Sequence, residues 1–127
     1  MAYSTIPKGS LYMNTKLYTG NGGTQTISGI GFQPDLVWGK GRTSTEHHQL
    51  YDAVRLATKV IYSNETDVQA TKSTGLTAFN SDGFVLGSDD GLNKNSISQV
   101  AWNWKAGGGQ GSSNTAGSIN TTYTSVN

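Results

Sequence analysis

An all-β fold, an antiparallel β-sandwich of jelly-roll type, is predicted for this 127-residue sequence by three observations. Turn-forming residues recur about every ten positions, which is typical of short strands joined by tight connections. Glycine occurs 17 times, and helix-forming residues never gather over several helical turns. Apolar and polar residues alternate in several segments, as in strands with one buried face. We expect the sandwich over residues 10–106, an N-terminal arm at 1–9, and a Gly/Ser/Thr/Asn-rich C-terminal arm or linker at 107–127.

The first strand is predicted at 10–18, where apolar and polar residues alternate. The Gly-Asn-Gly-Gly sequence at 20–23 is a strong turn signal, because Asn-Gly tolerates the positive φ of tight hairpins. We expect residues 24–28 to form the return strand of this hairpin.

A central strand is predicted after the Gln-Pro-Asp corner at 33–35, because proline pushes the preceding residue into an extended conformation. Leu36 and Trp38 should lie on one face and Val37 on the other, which indicates a strand covered on both sides. Gly39 and the glycine two positions later remove side chains where this strand ends. Two interpretations remain open there: a core strand leaving the sheet, or a ligand groove at its exit.

The middle of the chain mixes loops with an ambiguous segment. Residues 43–49 are polar and predict a loop, and 65–75 lack large apolar residues and predict another. Residues 50–64 fit either strands or two turns of helix. Their Val, Ile and Tyr content favours two strands, at 49–55 and 59–63.

The last two strand signals are the clearest. Two apolar runs within 76–91 flank an Asp-Gly turn and predict a hairpin. Residues 97–106 alternate strictly, with Val100, Trp102 and Trp104 on one face, which predicts a half-buried strand. We expect that face to be inward, because buried indoles contribute large apolar areas. The expected structural core is Trp38, Phe84, Leu86, Val100, Trp102 and Trp104.

Charge and composition disfavour several classes of protein. Nine basic and eight acidic residues give a net charge of +1, scattered along the chain, whereas nucleic-acid binding needs clustered Lys and Arg. Apolar runs fall well short of the roughly 20 residues that a membrane-spanning helix needs. The sequence has no cysteine, so neither disulfides nor thiol catalysis is expected. We predict no nucleic-acid partner, no membrane insertion and synthesis in the cytosol.

Candidate chemical groups are few, and each has a structural alternative. His47 and His48 follow Glu46, but adjacent side chains rarely converge on one metal ion, so a solvated loop is the favoured interpretation. A calcium ion at 89–93 is conceivable, although the spacing of an EF-hand is absent. A nucleophile elbow and a phosphate loop are also absent from the sequence. We predict no catalytic residue, metal or cofactor.

Aromatic residues offer the remaining candidate site. Trp38 and Tyr51 could stack on a sugar ring near the 39–49 loops, which would make them ligand-binding residues. The alternative is that both belong to the core, as aromatics in all-β domains usually do.

Four motifs give the chain a resemblance to a known group of domains: F-x-P-D-L-V-W, L-Y-D-x-V-R, S-D-G-F-x-L-G and V-A-W-x-W-K-A-G-G. In this order, between about Tyr18 and Gly108, they resemble a domain of bacteriophage structural proteins, chiefly tail fibres and appendages of marine and cyanobacterial phages. The resemblance implies a β-sandwich on a virion, often with a receptor- or sugar-facing role, and it implies no catalytic residues. Gly39 departs from this pattern, because similar domains carry a bulky aliphatic residue there. This hints at a local specialisation such as a subunit contact.

The function expected from this resemblance is that of a non-enzymatic bacteriophage virion protein, made in the host cytoplasm. It would be a tail-fibre or appendage module, assembled as a homo-oligomer with other virion proteins and in contact with the host surface. A trimer is the expected oligomer, since fibres have closed symmetry. The alternatives are a capsid decoration or head-fibre protein, and a carbohydrate-binding module for host-surface glycans.

Overall fold

The computed structural model describes residues 8–106, which form nine strands and a single turn of α-helix. Apart from residues 8 and 9, the predicted arms at 1–9 and 107–127 lie outside the described residues. In chain order the elements are a 3₁₀ turn Gly9–Leu11, β1 Met13–Thr19, β2 Gln25–Ser28, β3 Leu36–Gly41, β4 Gln49–Asp52, β5 Lys59–Tyr62, β6 Ala70–Thr71, β7 Leu76–Asn80, β8 Gly83–Leu86, α1 Asp90–Asn93 and β9 Ser98–Trp104. No helix within residues 8–106 is long and apolar enough to cross a membrane.

The strands form two antiparallel sheets. The larger sheet has six strands in the order β1-β9-β3-β4-β5-β6, and the smaller has three in the order β2-β8-β7. The last strand, β9, is inserted between β1 and β3 and pairs with both along most of its length. The two ends of the described chain therefore meet in the larger sheet.

One face of each sheet contributes to a shared core, which confirms the predicted all-β sandwich. The small sheet supplies Ile27, Leu76, Phe84 and Leu86, and the large sheet supplies Val37, Tyr51, Val60 and Ala101. Three residues from the connections complete the core: Ile30, Phe32 and Leu92. Fully burying an aliphatic or aromatic side chain contributes about 1.5–3 kcal/mol, so this cluster is the main stabilising element of the sandwich.

The hairpin predicted within 76–91 is confirmed, because β7 and β8 pair across a two-residue turn at 81–82. The hairpin predicted across 20–23 is wrong, although both of its strands exist. Strand β1 belongs to the large sheet and β2 to the small one. The reason is tertiary: Gly22 donates its amide proton to the Asn93 carbonyl oxygen at 2.8 Å. This hydrogen bond holds the turn against α1, so the chain passes from the large sheet to the small one instead of forming a hairpin.

The segment around 50–64, whose pattern fits either strands or a helix, forms the two strands β4 and β5, as predicted. Strand β4 ends at Asp52 because the Asp52 carboxylate accepts the Arg55 amide proton at 2.7 Å and closes a turn. The predicted loop at 65–75 contains the two-residue strand β6, which pairs with β5. Residues 43–48 are a loop, as expected.

The predicted inward position of the tryptophans is wrong. Trp102 and Trp104 share a face of β9, as expected, but that face points away from the small sheet, and Trp38 of β3 lies on the same side. All three indoles are half-buried and stand outside the core, whereas Phe84 and Leu86 are fully buried. Val100 lies on the tryptophan side and is 7% exposed, because its neighbours in the sheet cover it.

The space between the inner side of β3 and β9 and the elements packed against it is too narrow for indole rings. A Cβ atom added to Gly39 would lie 2.5 Å from Cδ2 of Leu92, so no larger side chain fits there without displacement. On β9, the inner positions are occupied by Gln99, Ala101 and Asn103. The Asn103 side-chain amide donates to the Ala101 carbonyl at 3.0 Å, within the strand itself.

Candidate functional site

The most distinctive surface of the molecule is the apolar side of the large sheet that is turned away from the small sheet. We call this surface the outer face. Strand alternation and register place on it nine apolar residues, Met13, Leu17, Leu36, Trp38, Leu50, Ile61, Val100, Trp102 and Trp104, and the polar residues Thr15, Lys40 and Asp52. The small sheet and α1 pack on the opposite side, and no element within residues 8–106 forms a third layer over it.

The centre of the outer face is a row of side chains that crosses four strands. The register aligns Trp102 of β9, Trp38 of β3, Leu50 of β4 and Ile61 of β5. The two indole rings are 4.9 Å apart between centroids and tilted by 35°. Aromatic pairs at this spacing add about 0.5–1.5 kcal/mol beyond their buried area, so the two rings stabilise each other's position. The Trp38 Nε1 proton is donated to Ser63 Oγ at 3.0 Å, which fixes that indole at one edge.

Two further rows flank this central row. On one side Met13, Trp104 and Leu36 are aligned, and on the other Leu17 is paired with Val100. The most exposed of these side chains are Leu17, at 57%, and Met13, at 36%. The apolar surface thus continues from the row of tryptophans to the β1 edge of the sheet.

The outer face is broad, and no element within residues 8–106 covers it. Five strands about 4.8 Å apart and three rows about 7 Å apart span roughly 20 by 20 Å, or about 400 Å² in projection, of which Thr15, Lys40 and Asp52 take a part. An apolar patch of this order is comparable to the largest one on a typical soluble monomer, and such patches are often functional. The arrangement offers shape and apolar area for recognition.

Tyr51, a predicted ligand-binding residue, is not on this surface. It is fully buried between the sheets, and its hydroxyl donates to Gln49 Oε1 at 2.8 Å. Gln49 Nε2 in turn donates to Asp89 Oδ2 at 2.7 Å. Burial, with a smaller contribution from the charge of Asp89, raises the pKa of Tyr51 well above its ordinary value. Tyr51 is therefore a core residue, and the prediction that it contacts a ligand is wrong.

Asp89 is the charged centre of this internal hydrogen-bond network. Its Oδ1 lies 2.7 Å from Lys72 Nζ, and its side chain is 9% exposed. Burial opposes the charge on Lys72, but the hydrogen bond and charge of Asp89 outweigh it, so the pKa of Lys72 is raised. Sequence reasoning missed this network, because Gln49, Lys72 and Asp89 are far apart in the chain. Both carboxylate oxygens of Asp89 are occupied, which disfavours the calcium site considered at 89–93.

The adjacent histidines lie in a polar loop, as the favoured interpretation had it. His47 Nδ1 is 2.9 Å from Glu65 Oε1, a contact that joins two surface loops. Partial burial, followed by the charges of Lys40 and His47, lowers the pKa of His48. Within residues 8–106, no three His, Asp or Glu side chains are grouped so as to hold a metal ion.

The ligand groove considered at the end of β3 is filled by protein. Leu92 packs against Gly39, and a Cβ atom on Gly41 would lie 2.0 Å from Ser44 Oγ. An open groove of about 480 Å³ lies instead at the opposite end of β3, beside Phe32 and Asp35. There the Asp35 carboxylate accepts the Ala106 amide proton at 2.7 Å and holds the chain that leaves β9.

One family model matches this chain, the domain of unknown function DUF7483, over residues 8–127. The chain belongs to the DUF7483 family. The match covers the whole described DUF7483 domain and continues into the segment after β9. Neither the curated proteins nor the solved structures contain a match to this sequence.

Proposed function

We propose that this DUF7483 protein is a non-enzymatic structural component of a bacteriophage particle, which acts by assembling through its outer face. The observation that carries the proposal is the apolar surface built around Trp38 and Trp102. Leaving such a surface in water forgoes about 25 cal/mol for each Å² of apolar area. A protein that acts by assembly recovers this free energy when its partner covers the surface.

The positions of the resembling motifs support the same proposal. F-x-P-D-L-V-W ends on β3 and V-A-W-x-W begins on β9, and these neighbouring strands present all three tryptophans on the outer face. S-D-G-F-x-L-G forms the turn and second strand of the core hairpin, with Phe84 and Leu86 buried. The motifs on which the resemblance rests thus lie both in the core and on the proposed contact surface.

Within this proposal, the protein is a tail-fibre or appendage module located on the virion, in an assembly with copies of itself and other virion proteins. A head-fibre or capsid-decoration protein would use the same surface against a capsid. Position on the particle distinguishes the two.

The proposal predicts that a phage encodes the chain, and it is tested on purified particles of that phage. Mass spectrometry should detect the protein at a stoichiometry of several copies per particle, and antibody-labelled electron microscopy should place it on the tail or the head. Purified, infectious particles without the protein would refute the proposal.

A second candidate function, carbohydrate binding, is favoured by the same indole pair. Two neighbouring indoles on a flat sheet offer apolar surface on which a sugar ring can stack. On a glycan array, binding should be lost in Trp102→Ala, with the fold intact by circular dichroism. Tyr12→Ala, which changes an exposed aromatic outside the central row, should retain binding. An array without any bound glycan would eliminate this candidate.

A further inference from the structure

We propose that the partner of the outer face is a second copy of this chain, packed outer face to outer face about a two-fold axis that runs along the row of tryptophans. The inference rests on the proposed function in that both require the outer face to be covered. It adds which surface the copies use and the symmetry of their contact, and it replaces the trimer expected from the resemblance with a two-fold pair.

Sheet geometry makes this contact possible. Two β-sheets pack face to face at about 10 Å when their facing side chains are apolar, as they do inside each sandwich. The outer face is mostly apolar, since Leu, Ile, Val, Met and Trp side chains fill most of three consecutive rows, with Thr15, Lys40 and Asp52 at the remaining positions. Two copies would therefore form an apolar layer with polar groups towards its sides.

The area is that of a weak, reversible pair. Two faces of about 400 Å² remove roughly 800 Å² in projection, and accessible area exceeds projected area because side chains stand up from the sheet. The total approaches the roughly 1,200 Å² at which specific interfaces begin.

A two-fold axis along the central row brings complementary groups together. The axis exchanges the two flanking rows, so Leu17 of one copy faces Met13 of the other. These are the most exposed apolar residues of the outer face, and in the pair they cover each other. Trp102 lies on the central row and faces its own equivalent.

The charges at the border of the outer face fit the same axis. Lys40 follows Trp38 by two residues on β3, and Asp52 follows Leu50 by two residues on β4. Because β3 and β4 are antiparallel, Lys40 and Asp52 lie on opposite sides of the central row. The two-fold operation places Lys40 of one copy opposite Leu36 of the other and one strand away from Asp52, twice in each pair. The Asp52 carboxylate is also paired with Arg55 of its own chain, so Lys40 would add a second cation to it.

The experiment measures the mass of the full chain in solution. Sedimentation equilibrium from about micromolar to millimolar concentration should show a reversible change from one chain of 13.4 kDa to a particle of twice that mass. Leu17→Lys should weaken the association at least tenfold, because each pair would bury two new charges. Leu17 is exposed in the single chain, so this variant should fold normally.

Two matched controls separate the contact from general effects. Leu56→Lys makes the same chemical change at a leucine that is 67% exposed and lies in the β4–β5 connection, and it should leave the association unchanged. Lys40→Glu should weaken the pair by opposing Asp52 of the partner, whereas Lys8→Glu should not.

The outcomes discriminate clearly. A monomer at every concentration, a trimer, or an association that Leu17→Lys leaves intact would each overturn the proposal. The virion proposal is tested separately, since a monomeric protein found on particles would keep that role and lose this interface. A chain that dimerises but is absent from particles would keep this interface and lose the virion role.

Discussion

Leu92 of α1 packs directly against Gly39 of β3, so that a Cβ atom at position 39 would lie 2.5 Å from the leucine Cδ2. Leu92 is 1% exposed and has little room to move. This contact explains the glycine that interrupts an otherwise bulky strand, because the single turn of α1 occupies the space of its side chain. The proximity is intramolecular, which replaces the subunit contact that the sequence suggested for Gly39.

Gly39→Val should therefore destabilise the protein by about 1–3 kcal/mol, since added volume in a filled core forces side chains out of position. In the double variant Gly39→Val/Leu92→Ala, the loss should be smaller than the sum of the two single losses, because the shortened side chain makes room. Urea denaturation of the four proteins measures this coupling. Val60→Ala, two strands away, is the control and should combine additively with Gly39→Val. Additivity in both pairs would contradict the proposed contact.

Local patterns predicted the strands but not which faces would be buried. Alternation correctly grouped Val100, Trp102 and Trp104 on one side of β9. Hydrophobicity then assigned that side to the core, and the assignment failed because the close contact between Gly39 and Leu92 is set by tertiary packing. The inner side of β9 takes Gln99 and Asn103, whose polarity is typical of a solvated face.

The candidate site could be predicted only in part for the same reason. Trp38 and Tyr51 are predicted as binding residues on the same ground, as aromatic residues near the 39–49 loops that could stack on a sugar. Trp38 lies on the outer face, whereas burial removes Tyr51 from any surface. Leu17 and Met13 were missed because their exposure depends on the position of β1 at the edge of the large sheet, which no local pattern encodes.

Tyr51→Phe should cost about 1–3 kcal/mol of unfolding free energy, because it leaves the buried Gln49 Oε1 without its donor. The benzene ring keeps the packing, so the loss reports the hydroxyl alone. Chemical denaturation measures it, with Tyr12→Phe as the control at an exposed tyrosine. Equal stability of both variants and the parent protein would show that the network contributes nothing.

Asn93→Ala should cost about 2–4 kcal/mol, since several buried hydrogen bonds are lost together. The Asn93 side chain is fully buried; it donates to the Gly87 carbonyl at 2.8 Å and accepts the Asn21 amide proton at 2.9 Å. Asn93→Asp should be no better, because its second oxygen would face carbonyl oxygens. The exposed Asn95→Ala is the control and should change thermal stability little. A tolerated Asn93→Ala would mean that the turn at 20–23 passes α1 without help from this side chain.

Protonation of Asp82 should make the protein less stable in acid, because its carboxylate accepts hydrogen bonds at the β7–β8 turn. Its oxygens accept the Gly31 amide proton at 2.6 Å and the Gly29 amide proton at 2.9 Å, and these bonds lower the pKa of Asp82 below its usual 3.8. A carboxyl group whose folded pKa is depressed stabilises the fold above its unfolded pKa, and that contribution is lost as pH falls through the folded pKa. The urea concentration at the unfolding midpoint of the parent protein should therefore decrease as the pH is lowered below about 4. It should decrease less steeply in Asp82→Asn. Asp67→Asn, which removes a carboxyl group from the exposed 63–69 loop, should follow the parent curve. An Asp82→Asn curve parallel to the parent over the whole range would show that the turn carboxylate has no part in acid stability.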